Sequence, residues 1–515
     1  MAFTAALQTV SPLYSLGLFS GAFVLYWIVW IIYARTLHPL SKVPGPWLAT
    51  VSRTWYMLQI IRGDMEKTQR RLHEKYGPLI RIGPNEVACA SPDAIKKIYR
   101  IKDALNKTDF YPVWSNNTFS KYPDNFTGIL DKLHGERRRI VNHVYSLSNV
   151  LQSERYIDRC SEVLMQKMKE HTNKNEPFDL GTWVQWYAFD VIGELYFGRM
   201  FGFMEKSHDH EGWINALELL TPFLCVTGVG PTYLRPLILG SAIAVPGSLK
   251  ALKAIDTVAH AARECVSKRF GEGAVQTEKR TDLLQQLYDI YQEKGEKVDF
   301  KMGEITQEAW VGLFAGSDTT AIAFRAVFYY LMKTPSAYNK VVAEIDEATE
   351  KGELTFPCKY SDAIKLPYLC ACIKEAFRIH PSVGLTMARL APAEGMELCG
   401  TYIPSGYRVG MNGAVVQFDK SIFGEDADQY RPDRWLEGDA TNMEKHMLHF
   451  GYGTRTCIGK NISLAELHKL VPQVLRHFKI EMWDQNKEWE TCNTWFVKQT
   501  GVEVRLTPRK EAVLA

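Results

Sequence analysis

One cysteine stands in a setting that could support metal chemistry. Residues 450–459 read Phe-Gly-Tyr-Gly-Thr-Arg-Thr-Cys-Ile-Gly, and a stretch of helical periodicity, residues 463–478, follows. A cysteine where a glycine-rich loop enters a helix has backbone N–H groups and the positive helix end near its sulfur, and both favour the thiolate that iron binds. Cys457 is therefore a candidate iron ligand. The alternative is a small buried hydrophobe, the usual state of a free cysteine.

Two further polar groups lie in stretches of helical periodicity. Glu375 and Arg378 are three residues apart and share a helix face, where they could pair. As a surface pair they would contribute less than about 1 kcal/mol. Asp318 and Thr319 interrupt the apolar stretch 307–332 with poor helix formers. They could transfer protons, or the threonine could kink the helix by bonding to a carbonyl one turn earlier.

These groups resemble the motifs of the cytochrome P450 family. Residues 450–459 match its haem-binding loop, F-x-x-G-x-R-x-C-x-G, at every fixed position. Residues 374–378 match its E-x-x-R helix, and residues 315–320 match the oxygen-binding groove of its long central helix. Arg434 resembles the third member of a structural triad with the E-x-x-R pair. The four motifs follow the family's order within a resemblance that covers about residues 44–509.

The resemblance implies a role for each residue. Cys457 is expected to be the axial ligand of haem b, with Phe450 shielding its sulfur. Asp318 and Thr319 are expected to relay protons to O2. Residues expected to support the loop without reacting are Glu375, Arg378 and Arg434. Residues expected to bind the haem propionates are Arg455, Arg389, Arg138 and His134; many relatives have Trp at the last position, and a histidine can still donate a hydrogen bond.

The implied activity is a monooxygenase that inserts one oxygen atom of O2 into a lipophilic small molecule. No flavin or iron–sulfur domain follows Arg505, so NADPH electrons are expected to arrive through a separate cytochrome P450 reductase, with cytochrome b5 as a further partner. Residues 44–46 and 423–435 look most like fungal microsomal members, including the pisatin demethylase-like group, which favours secondary-metabolite biosynthesis. Two alternatives stay open: a haem-thiolate isomerase or dehydratase, which has less need of Asp318 and Thr319, and a non-enzymatic haem sensor or carrier.

The elements that must position these residues are mainly helical. Residues 307–332 predict one buried helix of about 39 Å, starting after Thr306 as N-cap and ending before Thr334-Pro335. Short β-like runs occur at residues 79–82, 86–90, 409–418 and 494–505. The resemblance therefore implies a mainly α fold with small β regions. Without an internal linker or repeat, residues 47–515 are expected to form one catalytic domain.

An apolar segment precedes this domain. Residues 1–34 contain no Asp, Glu, Lys or Arg, and residues 16–33 would span about 27 Å as a helix, close to a bilayer core. A cleaved signal peptide would need a basic stretch in front. The first basic residue, Arg35, follows the run, so we expect an uncleaved anchor over residues 1–34, a Pro/Gly hinge over residues 35–46 and a cytosolic catalytic domain on the endoplasmic reticulum.

Composition excludes other classes of protein. The chain has 515 residues, 46% of them hydrophobic, which excludes a disordered chain and a small disulfide scaffold. A net charge of +3 gives no reason to expect nucleic acid as the main partner. The ten cysteines belong to a chain with a cytosolic bulk, so no disulfide framework is expected.

Overall fold

Helices account for most of the chain, which confirms the mainly α architecture predicted from the sequence. The computed structural model describes residues 12–174, 176–271, 274 and 280–509, so residues 1–11 of the predicted anchor and residues 510–515 of the predicted catalytic domain lie outside the described residues. The α-helices up to residue 270 are α1 (Pro12–Thr36), α2 (Trp47–Val51), α3 (Thr54–Arg62), α4 (Met65–Tyr76), α5 (Ile95–Ile98), α6 (Asp131–Val141), α7 (Leu147–Leu151), α8 (Glu154–Thr172), α9 (Leu180–Ile192), α10 (Phe203–Lys206), α11 (Trp213–Val229), α12 (Arg235–Ser241) and α13 (Ser248–Phe270). The α-helices that follow are α14 (Leu283–Val298), α15 (Met302–Lys333), α16 (Pro335–Glu350), α17 (Tyr360–Ala363), α18 (Pro367–Ile379), α19 (Gly413–Val416), α20 (Lys420–Phe423), α21 (Arg434–Glu437), α22 (Ala440–Lys445) and α23 (Lys460–His477).

Helix α15 crosses the interior, and it starts earlier than the sequence predicts. Its 32 residues extend about 48 Å, and it packs against α9, α13 and α18. The predicted start after Thr306 is wrong. The carboxylate of Glu304 accepts a hydrogen bond from Lys301 N–H at 2.7 Å, while the Thr306 hydroxyl lies inside the helix and donates to Met302 O at 2.9 Å. The helix ends at Lys333, before Thr334-Pro335 as predicted.

In the part of the chain that the structure describes, the strands form four small sheets. Their bounds are β1 (Leu79–Gly83), β2 (Glu86–Cys89), β3 (Phe178–Asp179), β4 (Arg389–Leu390), β5 (Met396–Leu398), β6 (Thr401–Ile403), β7 (Arg408–Gly410), β8 (Phe478–Met482), β9 (Glu490–Asn493), β10 (Val497–Thr500) and β11 (Glu503–Pro508). The largest sheet has the order β1-β2-β7-β4, in which β2 and β7 are parallel and the other pairs antiparallel. The others are β3-β11-β8, β10-β9 and β5-β6.

Two predicted strand runs differ from the structure. The run 409–418 is wrong beyond Gly410, because the Asn412 side chain accepts a hydrogen bond from Ala414 N–H at 3.0 Å and caps helix α19. The run 494–505 divides into β10 and part of β11 around Gly501, whose φ is +80°. In both places one residue with strong local preferences interrupts a strand-like pattern.

The predicted anchor is a helix with the properties of a membrane span. The most apolar 18-residue window of the helix Tyr14–Thr36 has a mean hydropathy of 2.0, and none of that window is buried within the fold. A second helical stretch, His210–Val229, also has the length and composition of a span, but 44% of its window is buried. The exposed surface of the first helix favours it as the membrane anchor.

The predicted hinge is bound to the largest sheet by one arginine. The Arg81 side chain, on β1, is almost fully buried and donates to Ala34 O at 2.9 Å and Leu40 O at 3.3 Å. Its backbone N–H donates to Pro44 O at 2.7 Å. His38 lies against the same guanidinium, 3.1 Å from it. The chain between anchor and domain is thus held at several points.

Candidate active site

The loop that carries Cys457 folds back on itself before helix α23. The Cys457 N–H donates to Phe450 O at 2.7 Å. Gly453 has a φ of +69°, and a Cβ atom there would lie 2.4 Å from Tyr99 O, so a side chain would require the backbone to move. Helix α23 begins at Lys460. The cysteine therefore lies at a loop-to-helix junction, as the sequence predicts.

Opposing effects act on the Cys457 thiol. Burial raises its pKa, while hydrogen bonds from the backbone N–H groups of Gly459 and Lys460 and the charge of Arg138 lower it. The Cys457 side chain is nevertheless exposed, and so is Ala315, which lies in the middle of α15 between the buried residues Leu313 and Ser317. Both residues border open space inside the fold.

Phe450 lies half-buried at the start of the same loop. Its ring centroid is 5.1 Å from that of Phe377 on α18 and 4.4 Å from that of His449. The Lys460 ammonium lies 5.9 Å above the Phe450 ring. These contacts connect the loop to helix α18, which carries the E-x-x-R pair.

His134 lies at the centre of a group of cations. Burial, together with the charges of the surrounding cations, lowers the pKa of His134 to about 3, so the imidazole is neutral at pH 7. Both ring nitrogens are buried and have no hydrogen-bond partner among the described residues. The cations that contribute are Arg455, Arg138, Lys107 and Arg389. An unpartnered buried imidazole among cations is a site suited to an anion.

The three predicted arginines of this group differ in their partners. Arg455 donates to Gly128 O at 2.7 Å and pairs with Asp131 at 3.3 Å. Arg389 is bound mainly by neighbouring carbonyl groups, with Ala388 O at 3.0 Å. The Arg138 guanidinium makes no hydrogen bond or ion pair within the described ranges, and burial lowers its pKa. Arg138 therefore has its full donor capacity available for a ligand.

Lys107 belongs to the same group, and sequence reasoning missed it. Its side chain is 5% exposed, and its Nζ donates to Phe126 O at 2.6 Å and lies 4.1 Å over the Tyr111 ring. Burial, followed by repulsion from Arg389, lowers its pKa well below the usual range. No motif surrounds Lys107. The only pattern that includes it is the chance sequence Asn106-Lys107-Thr108.

The predicted structural triad is buried and closely connected. Glu375 is fully buried and receives hydrogen bonds from Arg378 Nη2 at 2.8 Å and Arg434 Nε at 2.9 Å. The indole of Trp435 and the backbone N–H of Arg431 also donate to this carboxylate, each at 2.9 Å. The alternative of an exposed ion pair is therefore wrong for these residues.

Gln417 connects the triad to the cysteine loop and was not predicted. Its side-chain amide donates to Arg378 O at 2.8 Å, and its side-chain oxygen accepts from Leu448 N–H at 2.7 Å, two residues before Phe450. Arg378 in turn donates to Gln417 O at 2.9 Å. The triad thus acts on the loop through a buried amide. Its sequence position gives no signal, because all its partners are distant along the chain.

Asp318 faces helix α9. Its carboxylate accepts a hydrogen bond from Gln185 Nε2 at 2.6 Å, and Gln185 accepts one from Arg325 at 2.8 Å. Burial raises the pKa of Asp318, opposed by Lys498, Gln185 and Arg325. Lys498 itself pairs with the exposed Glu218. The Asp318 carboxyl group therefore lies between the buried side chains of Gln185 and Arg325 and the Lys498–Glu218 ion pair at the surface.

Thr319 points away from this network. Its hydroxyl donates to Ala315 O at 2.7 Å, one turn earlier, and Ser382 Oγ donates to Thr319 O at 2.9 Å. The back-bonded geometry considered for Thr319 is therefore present, although α15 continues through it without a break. Because the hydroxyl hydrogen is used in the helix, the Thr319 oxygen is left with acceptor capacity toward the open space beside Ala315.

Helix α6 carries a basic run, the three consecutive arginines 137–139, whose side chains do not present one common face. Arg137 donates to Val298 O and Asp299 O, each at 3.0 Å, and lies over the Tyr122 ring. Arg138 belongs to the buried group around His134, so only Arg139 of the run is exposed. As a docking surface for an acidic partner, the run contributes one side chain.

The donor set fits a planar iron-bearing group with anionic side chains. Such a group requires three features that are present here: a thiol at a helix start, open space beside the central helix at the exposed Ala315, and an unpartnered buried imidazole among cations. Among the described residues there is no cluster of three or more His, Cys, Asp or Glu side chains that could hold a bare metal ion.

The chain is similar to proteins of a known family over most of its length. A family model described as "Cytochrome P450" matches residues 44–505. The chain is 46% identical over 486 residues to cytochrome P450 monooxygenase gsfF of Penicillium aethiopicum, covering 94% of this chain and 96% of the relative. It is 41% identical over 376 residues to cytochrome P450 monooxygenase ACRTS1 of Alternaria alternata, covering 73% and 100%. It is 32% identical over 484 residues to pisatin demethylase of Fusarium vanettenii, covering 92% and 90%.

Proposed function

The chain belongs to the cytochrome P450 family, and on that basis we propose that it oxidises a lipophilic small molecule at a membrane surface, with electrons from a separate reductase. The predicted family, fold class and activity, a cytochrome P450 monooxygenase, are confirmed. Membership implies a haem thiolate and the use of O2. Substrate class, electron donor and membrane location belong to the proposal.

We assign the haem to the space between α15 and the Cys457 loop. Cys457 would be the axial ligand, and Phe450 would cover its sulfur. The propionates would be bound by His134, Arg138, Arg389, Arg455 and Lys107. When bound, a haem thiolate supplies reductive activation of O2 and insertion of one oxygen atom into a C–H bond. The observation that carries this assignment is the buried His134, which has two unpartnered ring nitrogens among four cations.

The residues of α15 would handle the protons. Asp318, hydrogen-bonded to Gln185 and close to the Lys498–Glu218 pair, is placed to exchange protons with the surface. The Thr319 oxygen, whose hydrogen is directed to Ala315 O, is placed to accept a hydrogen bond beside the open space and so to position a proton donor there. Proton delivery of this kind favours a monooxygenase over an isomerase or a haem carrier, which need no such relay.

The electron donor would approach the outer side of the Cys457 loop. Arg139 on α6 and Lys460 at the start of α23 are exposed cations near this loop. Such charges attract an acidic protein domain and orient it during encounter. A membrane-bound NADPH-cytochrome P450 reductase, with cytochrome b5 as a second donor, fits this requirement.

The substrate would be lipophilic and enter from the membrane side. An aromatic wall supports this: the Trp495 ring centroid lies 4.9 Å from Phe110, 6.4 Å from Trp114 and 6.1 Å from Phe126. Relatives from fungi, one of them a pisatin demethylase by name, support a secondary metabolite as substrate. The apolar helix Tyr14–Thr36 supports a single-pass anchor in the endoplasmic reticulum, and residues 47–515 would form the catalytic domain.

One experiment tests the assignment of the site. In microsomes that also contain a reductase, the reduced carbon monoxide complex of the unchanged chain should show the red-shifted absorption of thiolate-ligated haem. Cys457→Ser should lose this band and the NADPH-dependent product. Cys492→Ser, which changes another exposed cysteine, should keep both. A Cys457→Ser protein with an unchanged spectrum would disprove the assignment, and a normal spectrum without any NADPH-dependent product from extracts of a producing fungus would favour a carrier.

A further inference from the structure

Two cysteines 310 positions apart in the chain meet outside the active site. Cys89 is the last residue of β2 in the largest sheet, and Cys399 lies in the turn of the β5-β6 hairpin. Their Sγ atoms are 3.8 Å apart. Both residues carry free thiols, and neither belongs to the residues assigned to haem, oxygen or the structural triad.

The turn that holds Cys399 is unfavourable for a cysteine. Leu398 pairs with Thr401, so Cys399 and Gly400 form a two-residue hairpin loop, with φ values of +50° and +73°. Two positive φ values define a type I′ turn, in which Asn-Gly is the preferred sequence. A cysteine in the left-handed region is strained, and strain of this kind is typical of a side chain with a function of its own.

The two thiols differ in exposure and acidity. Cys399 is exposed, while Cys89 is 1% exposed. A hydrogen bond from the Cys89 thiol lowers the pKa of Cys399 to about 7, with smaller contributions from Ser91 and Lys97. The same contact, together with burial, raises the pKa of Cys89. Cys399 is thus suited to attack an oxidant and Cys89 to react second.

We propose that Cys89 and Cys399 are an oxidative modification site that forms a reversible disulfide with hydrogen peroxide as oxidant. The Cys399 thiolate attacks one peroxide oxygen and breaks the O–O bond, giving a sulfenic acid and hydroxide. The sulfur of Cys89 then attacks the Cys399 sulfur, the S–O bond breaks, and the Cys89 proton leaves with the hydroxyl group as water. In total, one thiolate, one thiol and one H2O2 give one disulfide, one water and one hydroxide; both sulfurs are oxidised by one electron each, and the peroxide is reduced by two.

The disulfide would connect two otherwise separate sheets. It joins β2, which pairs with β1 and β7, to the β5-β6 hairpin. Because it closes a very long loop in the unfolded chain, it should raise the unfolding temperature of the oxidised protein. Oxidised and reduced forms are expected to share the same haem spectrum, since neither sulfur contacts an assigned active-site residue.

The test uses the full-length, haem-loaded protein in detergent. The protein is treated with hydrogen peroxide, the excess peroxide is removed, and the protein is unfolded in guanidinium chloride so that the buried Cys89 becomes accessible. Its remaining thiols are then blocked with N-ethylmaleimide, and its peptides are analysed by mass spectrometry. We expect a peptide pair joined through Cys89 and Cys399 that disappears with dithiothreitol, and an unfolding temperature a few degrees higher in the oxidised sample.

Three variants make the outcome decisive. Cys399→Asn keeps the preferred type I′ turn chemistry, so it should fold at least as well as the unchanged chain while losing the cross-link and the temperature shift. Cys89→Ser should lose both as well, with Cys399 then oxidised beyond the sulfenic acid. Cys492→Ser, at another exposed cysteine, should retain both. The proposal is overturned if peroxide leaves Cys89 open to N-ethylmaleimide in the unchanged chain, or if the temperature shift persists in Cys399→Asn.

Discussion

At the scale of single residues, the direction of the Thr319 hydroxyl hydrogen limits what this side chain can do. It donates to Ala315 O at 2.7 Å, so the oxygen toward the open space acts as an acceptor. Ser317, two residues earlier, makes the same kind of bond to Leu313 O at 2.8 Å but is fully buried. Replacing each of the two residues in turn therefore distinguishes a role in proton delivery from a role in helix packing.

Thr319→Ala should retain haem and accept electrons but release peroxide in place of product. Removing the alcohol interrupts proton delivery, and general acid–base groups contribute about 10²–10⁴-fold, so product formed per NADPH should fall by at least about tenfold. The measurement is the ratio of product and of hydrogen peroxide to NADPH consumed. Ser317→Ala, the matched control, should keep the product formed per NADPH unchanged. If this ratio is the same in both variants, Thr319 serves helix packing and not proton delivery.

Residue type and spacing pointed to those candidate site residues that lie within a single short sequence motif. Cys457, Glu375 and Arg378 each lie in short patterns whose chemistry is explained by neighbours within a few positions. Lys107 and Gln417 were missed, because their partners come from distant segments such as Phe126 and Leu448. A sequence without an alignment gives no signal for contacts of that kind.

At the scale of elements, the Cys457 loop depends on close contact with the segment after α5. A Cβ atom on Gly453 would lie 2.4 Å from Tyr99 O and 2.9 Å from Arg100 O, both backbone atoms. Gly406 has a similar φ, +75°, with nothing within 4 Å of its would-be Cβ atom. Substitutions at Gly453 and Gly406 therefore distinguish the loss of stability caused by a left-handed backbone from the loss caused by a close contact with backbone oxygens.

Gly453→Ala should destabilise the protein more than Gly406→Ala. The control should cost about 1–2 kcal/mol for the left-handed backbone alone. Gly453→Ala should cost about 1–3 kcal/mol more, because backbone atoms must shift to admit the methyl group. Thermal unfolding and haem content measure the two effects, and equal losses in both variants would show that the loop does not need this contact.

Element types were predicted better than element ends. The apolar pattern of residues 307–332 identified the central helix, but its start depends on the side chain of Glu304, which bonds to Lys301 N–H. The pattern of residues 409–418 suggested a strand because it is apolar, whereas the cap formed by Asn412 makes most of it a turn and a short helix. Side-chain hydrogen bonds to the backbone decide such boundaries, and hydrophobic periodicity does not record them.

At the scale of the whole molecule, several buried histidines should make the fold sensitive to acid. Burial lowers the pKa of His38 and His380 to about 4 and that of His134 and His449 to about 3. Below about pH 6.5 these groups bind protons in the unfolded chain but not in the folded one. Their contribution to stability is therefore complete above that pH and falls as the pH is lowered toward 4 and 3.

The unfolding temperature should decrease continuously between pH 7 and pH 4.5. Circular dichroism in the far ultraviolet measures unfolding separately from loss of haem. His449→Phe, which replaces a ring that stacks on Phe377 and is tilted against Phe450, should make the decrease less steep. His208→Gln, at an exposed position, should leave the slope unchanged. A flat profile in the unchanged chain would contradict the expectation.

The membrane topology is testable through four glycosylation sequons, at Asn106, Asn116, Asn125 and Asn461. We expect no change in mobility after glycosidase treatment and a protease-accessible domain in intact microsomes, because the basic residues follow the anchor. A version in which a cleavable secretory signal replaces residues 1–34 should become glycosylated. Glycans on the unchanged chain would place the domain in the lumen and remove the cytosolic reductase as donor.

In the proposed membrane-anchored form, the contacts of Arg81 would limit how the proposed catalytic domain rotates relative to the bilayer. Because its guanidinium bonds Ala34 O and Leu40 O, the helix end and the following chain have fixed directions with respect to β1. The tilt of the proposed anchor in the lipid would therefore set the height of this domain above the headgroups. It would also set which edge of the domain faces the lipid, and so the direction from which the proposed hydrophobic substrate enters.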